Sequence, residues 1–380
     1  MGGLFGVVAM IVSIFGITYL TESLLVRRGS VLLLELAFLI FLIYLIVWTI
    51  GASVAVSDQV YAVPAMIESF STIAIWVAVY FVGAKVNLFE PAPSWVIKFL
   101  IVSVLACFVH AAVKSGSFLG PFLMFMGDQE GADTGATYQG IGRGIVVLAV
   151  VFASLAGRIS GQLTVLAGAV IVLLALGSRA HLFVTGLLLV VHIALFAFRG
   201  RNLRAGLVAT IVILLAGYFA ASVFLETRSA EILDLTQSNS WQARQEAHHE
   251  ALRVIETNPL LGGFGYYLGD SKGYAHNILS AWAEYGLVGF LMFIGLMLYA
   301  LGVSGKQVLF RSLCPPVWII AFQFNLVALV LALTSEPILS SVFPALGWGF
   351  TVQALRSERQ GRASMPTNQP RSSVMNVSVR

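Results

Sequence analysis

Long apolar stretches, separated by short polar segments, dominate the pattern of the chain. Charged residues are almost absent within the stretches, and the apolar–polar alternation of a membrane barrel strand does not occur in them. Roughly 20 helical residues cross the ~30 Å hydrocarbon core of a bilayer, and a helix satisfies its own backbone groups there. The pattern therefore predicts about 11 membrane-spanning helices. They fall at residues 4–20, 31–50, 73–82, 97–112, 146–156, 163–176, 182–198, 207–225, 278–303, 316–333 and 338–355.

Composition supports the same fold class. Hydrophobic residues make up 58% of the chain, charged residues make up only 11%, and the mean hydropathy is +0.91. These values lie far outside those of soluble domains, so a water-soluble enzyme is excluded. We expect an all-α polytopic membrane protein with about 11–12 transmembrane helices and a partly helical periplasmic loop.

The basic residues predict the orientation of the chain. If the spans alternate, most of the 22 lysines and arginines lie on one side, which the positive-inside rule identifies as cytoplasmic. Residues 115–143 and 226–276 then form periplasmic loops of a transmembrane domain over residues 1–355, and residues 356–380 form a disordered cytoplasmic tail. The net charge of +4 thus reflects topology, and nucleic acid is not an expected partner. The cytoplasmic basic residues are Arg27, Arg28, Lys85, Lys98, Arg158, Arg199, Arg201, Arg204, Lys306, Arg311, Arg356, Arg359, Arg362, Arg371 and Arg380.

The second periplasmic loop predicts a surface helix followed by a glycine turn. From Trp241 onward, residues that include Arg244 and His248 recur at helical spacing, which directs both side chains towards the membrane domain. Asn258 and Pro259 end this helix, because the residue before a proline avoids helical backbone angles. In the segment that follows, residues 261–270, glycines permit a close approach of backbone to a ligand.

Residues 273–290 join this loop to the next span. His276 and Asn277 are expected to begin the helix, with Glu284 two turns further along the same face and roughly 11 Å inside it. An acid at that depth is a functional candidate, and a structural hydrogen bond to a neighbouring helix is an equal alternative. Gly286 and Gly289 are most simply explained as positions where helices pack closely.

Taken in order, these residues resemble the signature shared by the O-antigen ligase and O-antigen polymerase superfamily of bacterial membrane glycosyltransferases. That signature has an arginine in a periplasmic helix, an Asn-Pro pair, a G-x-G turn, a His-Asn pair, and a helix with a glutamate and spaced glycines. An earlier Ser-Arg pair at the outer start of a span matches as well. The matching residues are Ser178, Arg179, Arg244, Asn258, Pro259, Gly263, Gly265, His276, Asn277 and Glu284.

The resemblance implies a GT-C-like, metal-independent glycosyltransferase of the bacterial inner membrane, with no cofactor and with its active site on the periplasmic side. By matching position, Arg179 and Arg244 would hold the diphosphate of an undecaprenyl-diphosphate-linked oligosaccharide, and His276 would act near the acceptor hydroxyl. General chemistry agrees with these roles. Guanidinium groups are always protonated and bind phosphate oxygens in a fork, and imidazole can accept a proton near neutral pH. Transfer is expected to invert the anomeric carbon.

Each of these residues also has a structural explanation. Arg179 could reach the lipid surface from a helix end, Arg244 could pair with Glu246 or Glu250, and His276 could cap a helix. A zinc site is not expected, since the adjacent histidines at 248 and 249 point about 100° apart on a helix. Aromatic residues near the loop could stack on sugars or form an interfacial belt. Further substrate-binding candidates are Asn277, Glu284, His248, Tyr274 and His181.

The identity of the acceptor separates two activities. A polymerase extends another lipid-linked repeat, whereas a ligase transfers the glycan to lipid A core in lipopolysaccharide biosynthesis. We favour the polymerase because the loop before His276 is compact. A polysaccharide transporter or lipid flippase would instead show helices broken near the midplane and matching halves, and a scaffold would not explain the convergence of two arginines and a histidine. Expected partners are the lipid-linked donor, a glycan or lipid A core acceptor, membrane lipids and a chain-length regulator protein.

Overall fold

The described part of the chain is helical, with no strand within it. The computed structural model describes residues 14, 16–18, 32–55, 59–85, 138–156, 159–175, 178–199, 239–268, 275–311, 314–338 and 341–363. Within these ranges the helices are α1 (Leu33–Ala55), α2 (Gln59–Lys85), α3 (Tyr138–Leu155), α4 (Ile159–Ala175), α5 (Arg179–Arg199), α6 (Asn239–Thr257), α7 (Leu279–Phe310), α8 (Pro316–Thr334) and α9 (Phe343–Ala363), with a 3₁₀ turn at Tyr266–Leu268.

Four of the described helices are long and apolar enough to cross a membrane: α1, α2 from Ala62, α7 and α8. Shorter apolar helices occur in α3, α4 and α5. Large apolar side chains remain exposed on the outside of the bundle, as in Val54 at 78% and Phe310 at 81%. Exposed apolar surface on this scale suits contact with lipid rather than water, so the prediction of an all-α polytopic membrane protein is confirmed.

Two predicted boundaries differ from the structure. α9 begins at Phe343 rather than at residue 338, because Pro344 occupies its first turn, where a missing amide hydrogen costs nothing. The same helix continues to Ala363, past the boundary at 356 predicted for a disordered tail. Residues 364–380, the predicted spans at 97–112 and 207–225, and most of the span at 4–20 lie outside the described residues.

The core consists mainly of two apolar clusters. In the first, aromatic rings from α1, α2, α7 and α9 interlock, and Trp76 stacks on Phe293 with ring centroids 5.8 Å apart while Trp348 meets Trp76 edge-on. In the second, aliphatic side chains of α3, α4 and α5 pack against Phe324 of α8. Because α8 and α9 contact each other closely, they join the two halves of the bundle.

Ion pairs define the two ends of the bundle. At one end, Arg356 of α9 pairs with Glu35 of α1 at 2.6 Å, and Arg311, just after α7, pairs with Glu358. We call this the Arg356 end. The other end, which we call the His276 end, holds the starts of α3, α5 and α7 and the end of α8, where the candidate residues lie.

Candidate functional site

Helix α7 is broken near its start at the His276 end. Gly286 has a φ of 68°, a left-handed conformation inside a helix, so the normal bond between Leu287 and Ala283 cannot form. The loop after α6 supplies both missing partners. The amide of Gly263 donates to Ala283 O at 2.7 Å, and the amide of Leu287 donates to Leu260 O at 3.2 Å. The glycine turn thus completes the backbone hydrogen bonding of the broken helix.

This contact leaves no room for side chains. A Cβ at Gly262 would lie 2.5 Å from Ala283 O, and one at Gly286 would overlap the carbonyl of Leu260. Gly289 was predicted to allow close helix packing, and this is confirmed by the Tyr44 ring, which would be 2.9 Å from an added Cβ. For Gly286 the simple packing explanation is incomplete, because its positive φ permits the break itself.

Two aromatic residues of α1 satisfy the other carbonyls that the break exposes. Trp48 Nε1 donates to Glu284 O at 3.0 Å, and the Tyr44 hydroxyl donates to Tyr285 O at 2.6 Å. A side chain has therefore replaced the ordinary helical donor at both positions. Side chains of α1 and the backbone of the loop after α6 therefore both hold the start of α7, close in the chain to His276 and Asn277.

The side chain of Glu284 makes a further contact between the start of α7 and the glycine turn. Its carboxylate is buried and accepts the amide hydrogen of Gly265, with both oxygens 3.3 Å from the nitrogen. Since α7 begins at Leu279 and not at His276, Glu284 is roughly 8 Å inside the helix. These contacts favour the structural alternative for Glu284, while its predicted role in substrate binding stays a prediction.

The pair His276 and Asn277, which we call the His-Asn segment, contacts the surface helix α6. The side-chain oxygen of Asn277 accepts the amide hydrogen of Leu279 at 3.0 Å, and its nitrogen lies 3.1 Å from His248 Nδ1. α6 buries Ala251 and Ile255 against the start of α7. The predicted helix and its end near Asn258 are present in the structure, and His248 of this helix contacts Asn277.

Two cationic side chains at this end of the bundle affect the pKa of His276. Burial first, and then the positive charges of Arg244 on α6 and Arg143 on α3, lower the pKa of His276 below its ordinary value. Since that ordinary value is about 6.5, the imidazole is neutral at pH 7 and can accept a proton. Glu250, a predicted alternative partner for Arg244, pairs instead with Arg253 at 2.6 Å.

A second polar cluster at this end joins α3, α5 and the connection after α8. Glu336 Oε1 lies 2.8 Å from Arg143 Nε and 3.2 Å from His181 Nε2, and His181 Nδ1 lies 2.8 Å from Ser178 Oγ. Burial would raise the pKa of Glu336, but the hydrogen bond from His181 and the charge and hydrogen bond of Arg143 outweigh it and hold that pKa below its usual range. An ionised Glu336 makes His181 Nε2 a donor, so Ser178 donates to Nδ1 when the imidazole is neutral.

The connection that carries Glu336 is also bonded to the His-Asn segment. The amide of Ile338 donates to Ser280 Oγ at 2.9 Å, and Ser280 Oγ donates to Asn277 O at 2.8 Å. Trp76 of α2 fixes the far side of this connection by donating to Ser341 O at 2.7 Å. Glu336 and His276 are therefore held by one continuous set of contacts.

The structure brings together most of the predicted residues that it describes. Arg179 is the first residue of α5, at the start of an apolar helix, directly after Ser178 and two residues before His181. Arg244, His248, His276 and Asn277 meet where α6 crosses the start of α7. Glu284 lies instead at the glycine turn. Tyr274 lies outside the described residues.

Sequence reasoning missed Arg143 and Glu336. Arg143 was assigned only to the end of a loop, whereas the helix already begins at Tyr138. Glu336 falls between two apolar runs and next to Pro337, beside a span whose start was predicted too early. The signal was a single charged residue at the edge of an otherwise apolar helix, which is costly and therefore a functional candidate.

The described residues contain no group of three or more His, Cys, Asp or Glu side chains that could hold a metal ion. The rings of His248 and His249 are 6.2 Å apart and inclined by 66°. What this end of the bundle offers to a ligand is fixed positive charge on two helices around a neutral imidazole, an arrangement suited to an anion that reacts beside a proton acceptor.

Residues 163–294 match the family model described as O-antigen ligase. This match confirms the resemblance to the O-antigen ligase and polymerase superfamily, although it covers fewer than half of the residues. It includes Arg179, Arg244 and His276 and leaves out Arg143 and Glu336. No curated protein and no solved structure shows a significant match to the chain. Together with the apolar helices, the match supports a multi-pass membrane protein of the glycosyl-transfer type.

Proposed function

We propose, from the O-antigen ligase match over residues 163–294, that this protein transfers a glycan from undecaprenyl diphosphate to a sugar hydroxyl at the periplasmic face of a bacterial inner membrane. The single observation that carries the proposal is the contact of α6 with the His-Asn pair, where the Asn277 side-chain nitrogen lies 3.1 Å from His248 Nδ1 and the charge of Arg244 lowers the pKa of His276. Because a neutral base beside a fixed cation suits a reaction that releases a diphosphate and a proton, the geometry agrees with this chemistry.

The donor would be held through its diphosphate. Arg179 at the start of α5 and Arg244 on α6 supply guanidinium groups whose charge is independent of pH and whose N–H groups match phosphate oxygens. As the glycosidic bond breaks, negative charge grows on the departing diphosphate. Fixed cations stabilise that charge more than the ground state, which accelerates departure without a metal ion.

The acceptor would be activated by His276. Its neutral imidazole accepts the hydroxyl proton while the hydroxyl oxygen attacks the anomeric carbon. The bond from that carbon to the phosphate oxygen breaks, and the electron pair leaves with undecaprenyl diphosphate. One displacement of this kind inverts the anomeric carbon. Asn277 and His248, which contact each other beside the imidazole, are the proposed acceptor-side binding residues, with His181 on the donor side.

Two acceptors remain candidates. We favour another lipid-linked repeat, which makes the protein a polymerase whose product length a separate regulator protein would control. A ligase that uses lipid A core is the second candidate, and the description of the matched family as O-antigen ligase favours it. Both activities use the same donor and the same base, so they differ in the acceptor site alone.

One experiment separates these functions. The purified full-length protein in lipid vesicles is incubated with lipid-linked repeats, with and without lipid A core, and products are resolved by size. Chain growth with repeats alone supports the polymerase, and transfer only in the presence of lipid A core supports the ligase. No transfer under either condition, with lipid-linked repeats crossing the vesicle membrane, would instead indicate a transporter or flippase.

A further inference from the structure

Arg143 lies at the same end of the bundle as the proposed donor-binding arginines, although it precedes the residues matched by the family model. It lies on α3, and its charge acts on His276 together with that of Arg244 on α6. The cations of α3 and α6 therefore approach His276 from two separate elements. A ligand atom beside the imidazole would lie within reach of both positive charges.

The surroundings of Arg143 are built to hold a guanidinium group at this position. Glu336 is only 3% exposed and Arg143 is 19% exposed, and they are 2.8 Å apart. The same carboxylate oxygen contacts His181, so Glu336 links the guanidinium on α3 to the start of α5, where Arg179 lies.

Gly142 brings the two helices into direct contact at this point. A Cβ on Gly142 would lie 2.7 Å from Ser178 Oγ and 2.8 Å from His181 Nδ1, so no other residue fits without displacing them. The absence of a side chain allows α3 to lie directly against the polar start of α5. Arg143, the next residue, is thereby held next to the element that begins with Arg179.

We propose that Arg143 is a third guanidinium of the donor site, binding the diphosphate of the polyprenyl carrier, and that Glu336 is the positioning residue that holds it there. This inference rests on the proposed function. The donor diphosphate has four non-bridging oxygens on two phosphorus atoms, and each oxygen can accept more than one hydrogen bond, so three guanidinium groups can bind it together. A third fork from α3 would contact the oxygens nearest to His276 and so align the anomeric carbon with the imidazole.

Binding of undecaprenyl diphosphate, the leaving group itself, tests this without any turnover. Affinity is measured for the full-length protein in lipid nanodiscs with the wild type, Arg143→Gln, Arg143→Lys and Glu336→Ala. We expect Arg143→Gln to weaken binding about tenfold or more, as for a lost charge-assisted hydrogen bond. Arg143→Lys should lose less, because it keeps the charge without the fork.

The positioning role of Glu336 has its own signature. Glu336→Ala should weaken binding, Glu336→Gln should restore most of it through the retained acceptor oxygen, and Glu336→Ala should add little once Arg143 is Gln, because it acts through that residue. Arg356→Gln is the matched control. It removes the guanidinium of a pair with the same burial at the opposite end and should leave diphosphate affinity unchanged.

The outcomes distinguish this inference from the proposed function. Wild-type affinity in both Arg143→Gln and Arg143→Lys, with binding lost in Arg179→Ala and Arg244→Ala, would overturn the role of Arg143 as a donor-binding residue. The proposed glycosyltransferase function would still stand. Wild-type affinity in all four of these arginine variants would contradict the proposed function as well. If Arg143→Gln does not assemble, wild-type affinity in Arg143→Lys alone overturns the inference.

Discussion

The two ends of the bundle contain nearly identical ion pairs in different surroundings. Arg356 and Glu35 are 16% and 2% exposed with 2.6 Å between them, and Arg143 and Glu336 are 19% and 3% exposed with 2.8 Å between them. At the Arg356 end, the second oxygen of Glu35 accepts the amide hydrogen of Leu32 at the start of its own helix. At the His276 end, the bonded oxygen of Glu336 also contacts an imidazole from a third element.

Burial and distance therefore do not reveal what an ion pair does. The pair at the Arg356 end has a structural role, because it joins α9 to the first turn of α1. A carboxylate in that turn also interacts favourably with the helix dipole. The pair at the His276 end contacts His181, and the charge of its arginine lowers the pKa of His276. If this contrast is correct, substitutions at the two ends should separate loss of function from loss of stability.

The largest effect should come from His276. Replacement by alanine removes the proposed base, and we expect turnover to fall by about 10² to 10⁴-fold, the range for general base catalysis. Initial rates of glycan transfer in vesicles measure this. His249→Ala removes an exposed histidine of α6 and should retain activity. Equal activity of His276→Ala and His249→Ala would show that His276 is not the base and would contradict the contrast between the two ends.

Arg244 should come next. Arg244→Ala is expected to lower kcat/KM about 10²-fold, because charge on the leaving diphosphate loses a fixed cation, and Arg244→Lys should recover part of it. Steady-state kinetics with varied donor concentration measure the change. Arg253→Ala provides the control, since Arg253 is exposed on the same helix and pairs with Glu250. A comparable loss in both variants would indicate a general effect on α6.

The pH dependence of kcat/KM should respond to removal of a positive charge at the His276 end and not to removal of one at the Arg356 end. The neutral base is active, so activity falls as pH decreases through the pKa of His276, which lies below the ordinary value of about 6.5. Arg143→Gln removes a nearby positive charge, raises that pKa and moves the acidic limb of kcat/KM to higher pH. Arg356→Gln should leave the limb in place. An unmoved limb in Arg143→Gln would contradict the assignment of His276 as the base.

Gly286 should affect stability more than other glycines of α7. Gly286→Ala forces a side chain into a left-handed conformation and against the Leu260 carbonyl, at a cost of about 1–3 kcal/mol or more. Gly295→Ala, with nothing within 4 Å of an added Cβ, should be neutral or stabilise by roughly 0.5–1 kcal/mol. Thermal unfolding in detergent compares them. Similar melting temperatures would mean that the break in α7 is not maintained in solution.

The smallest effect should come from Glu358. Its pair with Arg311 at the Arg356 end is partly exposed, so Glu358→Gln should change stability by about 0–1 kcal/mol and leave transfer activity unaltered. The same unfolding and transfer assays apply. A clear loss of activity in this variant would show that the two ends are coupled through the bundle, contrary to the comparison.

Local pattern was enough to predict much of the fold. The described apolar helices coincide with long apolar runs, because a segment within lipid must be apolar along its whole length. α6 was predicted from its periodicity, and its end from Asn258 and Pro259, since backbone angles next to a proline are restricted locally. Boundaries were less certain where polar residues lie just outside an apolar run, as at Glu336.

The candidate site could be predicted only where residues are close in the chain or match the family signature. The pair of Arg143 and Glu336 joins positions 193 residues apart, and no periodicity indicates which helix ends meet. Likewise, the glycines of residues 262–265 predict a close approach of the backbone, and the pattern indicates a ligand as the partner. In the structure they contact the broken start of α7.

By itself the sequence determined that the chain is helical and membrane-embedded, and it identified Arg179, Arg244 and His276 as the residues to examine. Those features depend on hydrophobicity, helical period and a motif, and each of these can be recognised within a short stretch of sequence. The tertiary structure alone decided that α7 breaks at Gly286, that the carboxylate of Glu284 accepts the amide hydrogen of Gly265, and that Glu336 pairs with Arg143. These contacts join distant segments, and buried polar groups take whichever partner the packing of the helices brings within hydrogen-bonding distance.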